Sequence, residues 1–413
     1  MCDWPENPLL INRAGAVELT YAQLGERLKS PTFRPQLRPE NTAEALIALL
    51  TAYIRQTPLR LIDGDLSPQE LSNLGIKESD LELRTSLSSR PPESFAQALR
   101  YAQSGSGFLL SLYTSGSTGL PKLVTHNRES LTRTLRSSDR HALNTWALAY
   151  NPTHIAGVQV ALQAFHNRNT IVDVFGLDRT AALRLFAQWS VTHVSATPTF
   201  YRMLLPVDHP APALESITLG GERSSPELLA KLAVAFPKAR IRNLYASTEA
   251  GTLLVSDGDV FGVHSSLKGK VRIKDGQILV ARELLAHFGS DEKCDDWYAT
   301  GDRVEVLSES PLRFRILGRQ GDFINVGGAK VDPAEVEDAL RCFPGVMEAR
   351  VYGRPNSVVG TLLCAEYTAG TPISEQAYRA FLADRLQPHK VPRIIKSVDF
   401  LPKTRTGKLI RRA

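Results

Sequence analysis

Residues 114–119 read Thr-Ser-Gly-Ser-Thr-Gly, and Lys122 follows shortly after them. The glycines leave backbone N–H groups free of obstructing Cβ atoms, the hydroxyl side chains add donors, and the lysine adds positive charge, so such a loop is suited to phosphate. A kinase-type or GTPase-type P-loop is disfavoured, because it needs glycine at Pro121 and Ser or Thr at Leu123. The predicted phosphate-binding residues are Thr114, Ser115, Gly116, Ser117, Thr118, Gly119 and Lys122.

The elements that must position this loop alternate between short apolar runs and amphipathic stretches. Buried strands are predicted within 107–114, 169–175, 191–198, 214–221 and 239–246. Crossover helices are predicted within 178–190 and 225–236, the second with Ser225 as its cap and Pro226 in its first turn. This alternation predicts a doubly wound, mostly parallel sheet, whose ligand loops lie at the carboxyl ends of its strands.

The pattern changes after about residue 260. Residues 270–281 form two alternating runs joined by Asp275 and Gly276, which predicts a β-hairpin. Beyond the junction near Gly318 to Gly321 the chain restarts with a helix, strands, a second helix and a basic tail. We therefore expect a large domain over 1–318 and a small α+β domain over 319–413.

Composition is that of an ordinary globular protein: 413 residues, 43% hydrophobic and 22% charged. No apolar run approaches the roughly 18 residues of a membrane helix, and the start lacks a secretory signal, so a cytoplasmic protein with no membrane partner is expected. Four dispersed cysteines (Cys2, Cys294, Cys342 and Cys364) predict neither a zinc site nor a disulfide framework. The net charge of +6 suits an anionic ligand or acidic partner, but the basic residues are dispersed, which disfavours nucleic acid.

Five motifs together carry a family resemblance: 114–122, 244–251 (LYASTEAG), 298–302 (YATGD), 318–337 and 402–408 (PKTRTGK). In this order they resemble the adenylate-forming enzymes, which comprise acyl-CoA synthetases, nonribosomal adenylation domains and luciferases. The resemblance covers the chain from about residue 110 to its end. It implies an α/β fold with a large N-terminal domain and a small mobile C-terminal domain, and ATP-dependent activation of a carboxylic acid to an acyl-adenylate.

The same resemblance assigns roles to single residues. Thr248 is expected to bond the α-phosphate, Glu249 to hold Mg²⁺, and Lys408 to reach the substrate carboxylate and the α-phosphate. Asp302 is expected to accept the ribose hydroxyls, with Arg319 donating to the same sugar. The residues expected around adenine are Gly221, Glu222, Arg223, Asn243, Leu244 and Tyr245.

An acyl pocket is expected beside the nucleotide. Its predicted lining is His154, Gly157, Gly220, Ala246 and Gly251. Ala246 replaces a glycine that is usual in the family, so its methyl group is expected to narrow the pocket. His154 is given no proton chemistry, because a carboxylate substrate is already ionised at neutral pH.

Two features depart from the resembling enzymes. The chain is short before the phosphate loop, so the first subdomain must be reduced. Gly321 stands at the position of the usual aspartate or lysine hinge, and the adjacent Asp322 cannot be assumed to replace it.

The predicted function is adenylation of an aryl or medium acyl acid with ATP and Mg²⁺, followed by transfer to a pantetheine thiol. CoA and the phosphopantetheine of a separate acidic acyl carrier protein both remain open as acceptors. The alternative is a catalytically silent nucleotide-binding regulator on the same fold. Because Glu249 and Lys408 are both present, catalysis is the preferred interpretation.

Overall fold

The protein is described by a computed structural model that covers residues 4–114, 121–207, 211, 213–288, 296–319, 321–326, 329–356, 360–402 and 409. Strands before residue 263 are β1 (Pro8–Ile11), β2 (Val17–Thr20), β3 (Thr32–Phe33), β4 (Gln36–Leu37), β5 (Leu59–Leu61), β6 (Thr85–Ser86), β7 (Leu109–Thr114), β8 (Lys122–Asn127), β9 (Thr145–Leu148), β10 (Thr170–Asp173), β11 (His193–Ala196), β12 (Ser216–Leu219), β13 (Arg240–Ser247), β14 (Gly251–Ser256) and β15 (Val260–Gly262). Later strands are β16 (Val271–Lys274), β17 (Gln277–Ala281), β18 (His287–Phe288), β19 (Trp297–Glu309), β20 (Leu312–Arg319), β21 (Ile324–Val326), β22 (Ala329–Val331), β23 (Val346–Asn356), β24 (Gly360–Ala369) and β25 (Ile394–Ser397).

The helices are α1 (Tyr21–Arg27), α2 (Thr42–Arg55), α3 (Pro68–Asn73), α4 (Glu78–Glu82), α5 (Phe95–Ser104), α6 (Arg128–Thr132), α7 (Ile155–His166), α8 (Arg179–Gln188), α9 (Pro198–Leu204), α10 (Pro226–Ala235), α11 (Pro333–Arg341) and α12 (Glu375–Ala383). As predicted, α10 begins at Pro226, and the Ser225 side chain accepts from the backbone N–H of Leu228. No helix in the described ranges is long and apolar enough to cross a membrane.

The largest sheet has eight strands in the order β14-β13-β12-β11-β9-β10-β1-β2. Its six inner strands are parallel to their neighbours, whereas the edge strands β14 and β2 are antiparallel. The two faces of the sheet pack into different cores: Leu10 packs on the side of α2 and α7, and Ile11 on the side of α8 to α10. This confirms the predicted doubly wound, mostly parallel sheet.

A second sheet, with the order β18-β8-β7-β5-β4, carries the two ends of the predicted phosphate loop. Strands β7 and β8 are antiparallel, and Thr114 pairs with Lys122 across them. The first hundred residues contribute short elements to this sheet and to the adjoining core.

The predicted hairpin is confirmed, since β16 and β17 pair antiparallel through Asp275 and Gly276. Both turn residues have positive φ, 52° and 68°, the conformation that an Asp-Gly turn favours. The hairpin belongs to a five-stranded sheet that ends, in chain order, with β20 at Arg319.

Beyond Gly321, β23, β24 and β25 form a three-stranded sheet. With α11 and α12 it encloses a separate core that includes Val336, Val351 and Tyr378. Cys342 and Cys364, the described cysteines, are free thiols.

Candidate nucleotide and acyl site

The predicted phosphate loop is described at its ends alone. Ser115, Gly116, Ser117, Thr118 and Gly119 lie outside the described residues, and so does Lys408. Thr114 and Lys122 are paired strand residues on either side of the loop, and the Lys122 side chain is exposed.

A buried histidine connects this hairpin to the predicted catalytic turn. His126 on β8 is fully buried, and its Nε2 lies 2.7 Å from the carbonyl oxygen of Thr248. Its Nδ1 lies 2.9 Å from Ser130 Oγ. Burial lowers the pKa of His126 to about 4, so the ring is neutral at pH 7, and Nε2–H donates to the carbonyl, which can only accept. Sequence reasoning missed this residue, although a histidine inside an apolar strand pattern was a visible signal.

Thr248 and Glu249 occupy the turn between β13 and β14. The Glu249 backbone carbonyl accepts from the N–H of Ala286 over 2.7 Å, which fixes the turn. The half-buried Glu249 carboxylate makes no hydrogen bond or ion pair with the described residues. Its oxygens are hard donors of the kind Mg²⁺ binds, so the residue fits its predicted metal role.

Tyr245, Asp302 and Arg319, three of the predicted nucleotide-binding residues, form a hydrogen-bonded chain. Tyr245 Oη donates to Asp302 Oδ2 over 2.5 Å, and Arg319 Nε donates to Asp302 Oδ1 over 3.2 Å. Burial raises the pKa of Tyr245 well above its usual range, and the Asp302 carboxylate raises it further. Each Asp302 oxygen retains acceptor capacity, so the carboxylate can still receive ribose hydroxyls.

Two of the residues predicted around adenine, Glu222 and Asn243, form hydrogen bonds with other side chains of the protein. Glu222 Oε2 accepts from Thr199 Oγ1 over 2.7 Å, and Oε1 of the same carboxylate is buried with no hydrogen-bond partner in the described part of the chain. Asn243 is buried and accepts from Ser224 Oγ. Gly221 has a φ of +82°, which a side chain would strain.

Arg223, another predicted adenine residue, faces the C-terminal part of the chain. Its Nη1 lies 2.7 Å from Asp332 Oδ2 and 3.3 Å from the carbonyl oxygen of Leu317. The structure thus gives Arg223 a contact between the two predicted domains. Gly321 is exposed and has a φ outside the left-handed region, and a Cβ at this position would meet no described residue within 4 Å.

A cavity of about 1380 Å³ opens beside the turn, on the α7 side of the large sheet. Its lining includes His154, Gly220, Leu244, Ala246 and Thr248. Leu244, which was predicted near adenine, lines this cavity together with the predicted acyl-pocket residues. It does so because it points to the same face of β13 as Ala246.

The two other glycines of the predicted acyl pocket have packing roles. A Cβ on Gly157 would lie 2.4 Å from the carbonyl oxygen of Asn151, so only glycine allows α7 to approach that loop. Gly251 has a φ of +64° and begins β14.

His154 is held by a buried carboxylate that sequence reasoning missed. Its Nε2 lies 3.0 Å from Asp63 Oδ2, while Asn151 Nδ2 donates to Asp63 Oδ1 over 3.2 Å. Burial alone would raise the pKa of Asp63, but the hydrogen bond and charge of His154 and the other donors bring it below its usual range. The available signal was an aspartate following a buried strand, in the run 59–63.

Two family profiles match the chain. The profile described as AMP-binding enzyme matches residues 56–274, and the profile described as AMP-binding enzyme C-terminal domain matches residues 335–408. The first match alone spans more than half of the 413 residues.

Individual relatives agree with these profiles. The 4-hydroxybutyrate–CoA ligase 1 of Metallosphaera sedula is 28% identical, over 88% of this chain and 70% of the relative. Among solved structures, the anthranilate CoA ligase AuaEII in complex with anthranoyl-AMP has a TM-score of 0.74 at 20% identity, over 98% of this chain and 93% of that one. The o-succinylbenzoate coenzyme A synthetase of Bacillus subtilis, in complex with ATP and magnesium ion, has a TM-score of 0.71 at 20% identity, over 98% and 96%.

Proposed function

This chain belongs to the family of AMP-binding enzymes, and we propose that it is an AMP-forming acid–thiol ligase. It activates a carboxylic acid, aryl or medium acyl, with ATP and then transfers the acyl group to a pantetheine thiol. The observation that carries this proposal is the end of β13. Tyr245 joins the Asp302 cluster on one strand face, Ala246 lines the cavity on the other, and Thr248 follows at the junction.

In the first half-reaction, a carboxylate oxygen of the acid attacks the α-phosphorus of ATP. The bond from the α-phosphorus to the bridging oxygen breaks, and pyrophosphate leaves with the bonding electrons. No base is required, because the acid is already ionised. Thr248 orients the α-phosphate, and Tyr245, Asp302 and Arg319 fix the nucleoside.

Charge neutralisation completes this step. Lys408 is proposed to bind the oxygens on which negative charge develops, and residues 114–119 with Lys122 to bind the β- and γ-phosphates. Glu249 would hold Mg²⁺, which supplies positive charge against the phosphates when bound. His126 positions the Thr248 carbonyl and thereby links the phosphate hairpin to the turn.

In the second half-reaction, a thiol adds to the acyl carbonyl, AMP leaves, and the thiol proton passes to solvent. We propose that domain 319–413 rotates against domain 1–318 at Gly321 to admit the thiol. The acceptor is CoA or an acidic acyl carrier protein, and the net charge of +6 favours either one over a neutral thiol.

The test is ATP–pyrophosphate exchange over a panel of aryl and fatty acids, followed by offering CoA or a holo carrier protein to the best acid. We expect exchange with one class of acid and AMP plus a thioester on adding thiol. Binding of ATP without exchange for any acid would contradict the proposal and favour the silent regulator.

A further inference from the structure

The cavity extends far beyond the predicted acyl pocket, along one face of the sheet. On β13 it is lined by alternate residues, Ala246, Leu244, Arg242 and Arg240, from the carboxyl end of the strand towards its start. At about 3.3 Å per strand residue, Arg242 lies roughly 13 Å from Ala246. The cavity therefore has a far end, distant from the reacting centre.

The face that lines the cavity is polar, unlike the other face of the same strands. Val194 and Ile217 point to the core formed with α8 to α10. Their neighbours Ser195, Ser216 and Thr218 point into the cavity instead. Inner strands of a parallel sheet usually bury apolar residues on both faces, so the hydroxyls make this wall of the cavity polar and less suited to a plain hydrocarbon chain.

Buried donors without acceptors lie at the far end. Trp146 stacks on His193 with 4.7 Å between ring centroids, and both residues line the cavity. Trp146 Nε1 and Arg242 Nε are buried and have no hydrogen-bond partner among the described residues. An unpaired buried donor is costly, and an acceptor on a ligand would remove that cost.

Positive charge is concentrated at the same place. A small cavity of about 150 Å³ adjoins the far end and is lined by Arg136, Arg240, Arg242, Val255 and Asp257. Arg240 forms a two-pronged pair with Asp257, at 3.0 and 2.9 Å. Arg242 makes no hydrogen bond or ion pair with any described residue, and the Arg136 guanidinium likewise has none.

The remaining charges do not neutralise this cluster. Arg140 adds a further exposed cation to the lining. Asp259 pairs with Arg315 over 2.7 Å, and Glu215, which also lines the cavity, forms no ion pair with a described arginine. Burial lowers the pKa of Arg242, and the like charges of Arg240 and Arg136 lower it further, against the opposing effect of Asp257. Arginines therefore outnumber carboxylates at this end of the cavity.

We propose that the acid substrate carries a second anionic group at its far end, and that Arg242 binds this group with help from Arg136. This inference rests on the proposed function and specifies its substrate class: an elongated acid whose second group, a carboxylate, sulfonate or phosphate, lies beside Arg242, roughly 13 Å along β13 from Ala246. The far group is unchanged by the reaction. Its role is to select and orient the acid.

The experiment compares matched acids in ATP–pyrophosphate exchange. Each straight-chain or aryl monocarboxylic acid is paired with the acid of equal length that bears a terminal carboxylate, and sulfonate and phosphate analogues form further arms. We expect kcat/KM to be at least about tenfold higher for the doubly charged member at the best length, since a hydrogen bond between charged groups strengthens binding by about tenfold or more.

The variant Arg242→Gln should reduce the ratio of doubly charged to singly charged acid by about tenfold to 100-fold. Arg242→Lys, which keeps the charge, should retain part of the ratio. Arg184→Gln on α8, an exposed arginine on the opposite side of the sheet, is the matched control and should leave the ratio unchanged. Circular dichroism confirms the folding of each variant.

The outcomes separate the two proposals. Exchange that favours singly charged acids, or a ratio that Arg242→Gln does not alter, overturns this inference and leaves the ligase function intact. Absence of exchange with every acid in the panel contradicts the ligase function itself. If Arg242→Gln fails to fold, the test uses the wild-type protein and Arg242→Lys. A wild-type preference for the doubly charged acid that is partly retained in Arg242→Lys supports the inference, and a wild-type protein without that preference contradicts it.

Discussion

Arg242 in the cavity and Arg341 in the C-terminal domain are two partly buried arginines with different surroundings. Arg341 Nη2 donates to Asp338 Oδ1 over 2.7 Å, and its Nη1 donates to Glu348 Oε1 over 2.9 Å. Arg242 lies near two other arginines and has no described partner. A guanidinium whose partners are all in the protein stabilises the fold, whereas one left without partners is available to a ligand.

The protein lowers the pKa of Arg242 and raises the pKa of Arg341, because the neighbouring charges differ. Burial lowers the pKa of both side chains. For Arg341 the carboxylates of Glu348, Asp338 and Glu337 overcome burial and raise the pKa. For Arg242 the main neighbours are cations, and the pKa stays below its usual value. The difference lies in the neighbouring charges, because both groups are partly desolvated.

Among the substitutions that test this comparison, Arg341→Leu is expected to have the largest effect, a loss of stability in the C-terminal domain. The variant removes the guanidinium that Glu337, Asp338 and Glu348 share, and leaves Arg202 as the cation beside Glu348; breaking such a pair typically costs about 3–5 kcal/mol. All four tryptophans precede residue 319, so hydrogen exchange of β23 and β24 amides is the measurement rather than fluorescence. Arg385→Leu, which breaks the exposed pair with Asp384, is the control and should cost less than about 1 kcal/mol. Similar losses in the two variants would contradict a structural role for Arg341.

Lys408 extends the comparison to a cation assigned to the reaction itself. Lys408→Ala should lower ATP–pyrophosphate exchange by about 100- to 1000-fold, or roughly 3–4 kcal/mol, since the ammonium acts on charge that develops in the transition state. Thioester formation from synthetic acyl-adenylate should survive within about tenfold, because the tail is expected to have left the site by then. Both half-reactions are measured on one folded preparation, with ATP binding checked by calorimetry. Equal loss of both steps would count against the two-conformation mechanism.

His126 differs from both arginines, because this buried basic side chain is neutral at pH 7. Its folded pKa of about 4 lies below the usual value of about 6.5, so the unfolded chain binds more protons between these pH values. The free energy of unfolding therefore falls as the pH drops from about 6.5 to about 4, by up to roughly 3 kcal/mol from this residue. His166 and His193, also with pKa values near 4, add to the same slope.

The measurement for His126 is urea unfolding at a series of pH values. His126→Gln should flatten the slope of stability against pH by up to about 1.4 kcal/mol per pH unit between pH 4 and 6.5. The exposed His264, changed to Gln, serves as the control and should leave the slope as in the wild type. A slope that is equally steep in His126→Gln would show that the ring does not titrate as described.

Features that depend on residues close together in the sequence could be predicted. The Asp275-Gly276 turn and the Ser225 cap follow from local backbone preferences, and both are confirmed. The Asp63–His154 contact joins residues 91 positions apart, and no local pattern specifies such a pair. Arg242 stood within a predicted buried strand, where its alternation with Ile241 was visible, but the cavity it faces is formed by the packing of α7 against the sheet.

Arg202 offers the smallest expected effect, because both of its partner carboxylates keep other partners: Glu348 pairs with Arg341, and Glu222, 3.5 Å from Arg202 Nη2, accepts from Thr199. On α9, Arg202 Nε lies 3.1 Å from Glu348 Oε2, across the two predicted domains. A rotation of the small domain must break this pair in one of the two half-reactions. Since Arg341 still neutralises Glu348, Arg202→Gln should cost about 1 kcal/mol of stability, and one half-reaction should slow by at most about tenfold while the other changes less than threefold.

The rates of both half-reactions are measured for Arg202→Gln and for the control variant Lys390→Gln. Lys390 binds Glu335 at 2.7 and 2.9 Å, an ion pair of the same kind that lies wholly within the small domain. Rotation leaves that pair intact, so its loss should slow both half-reactions to the same small extent. An equal effect of Arg202→Gln on both steps would mean that the Arg202–Glu348 contact persists throughout turnover, and that the small domain does not separate from α9.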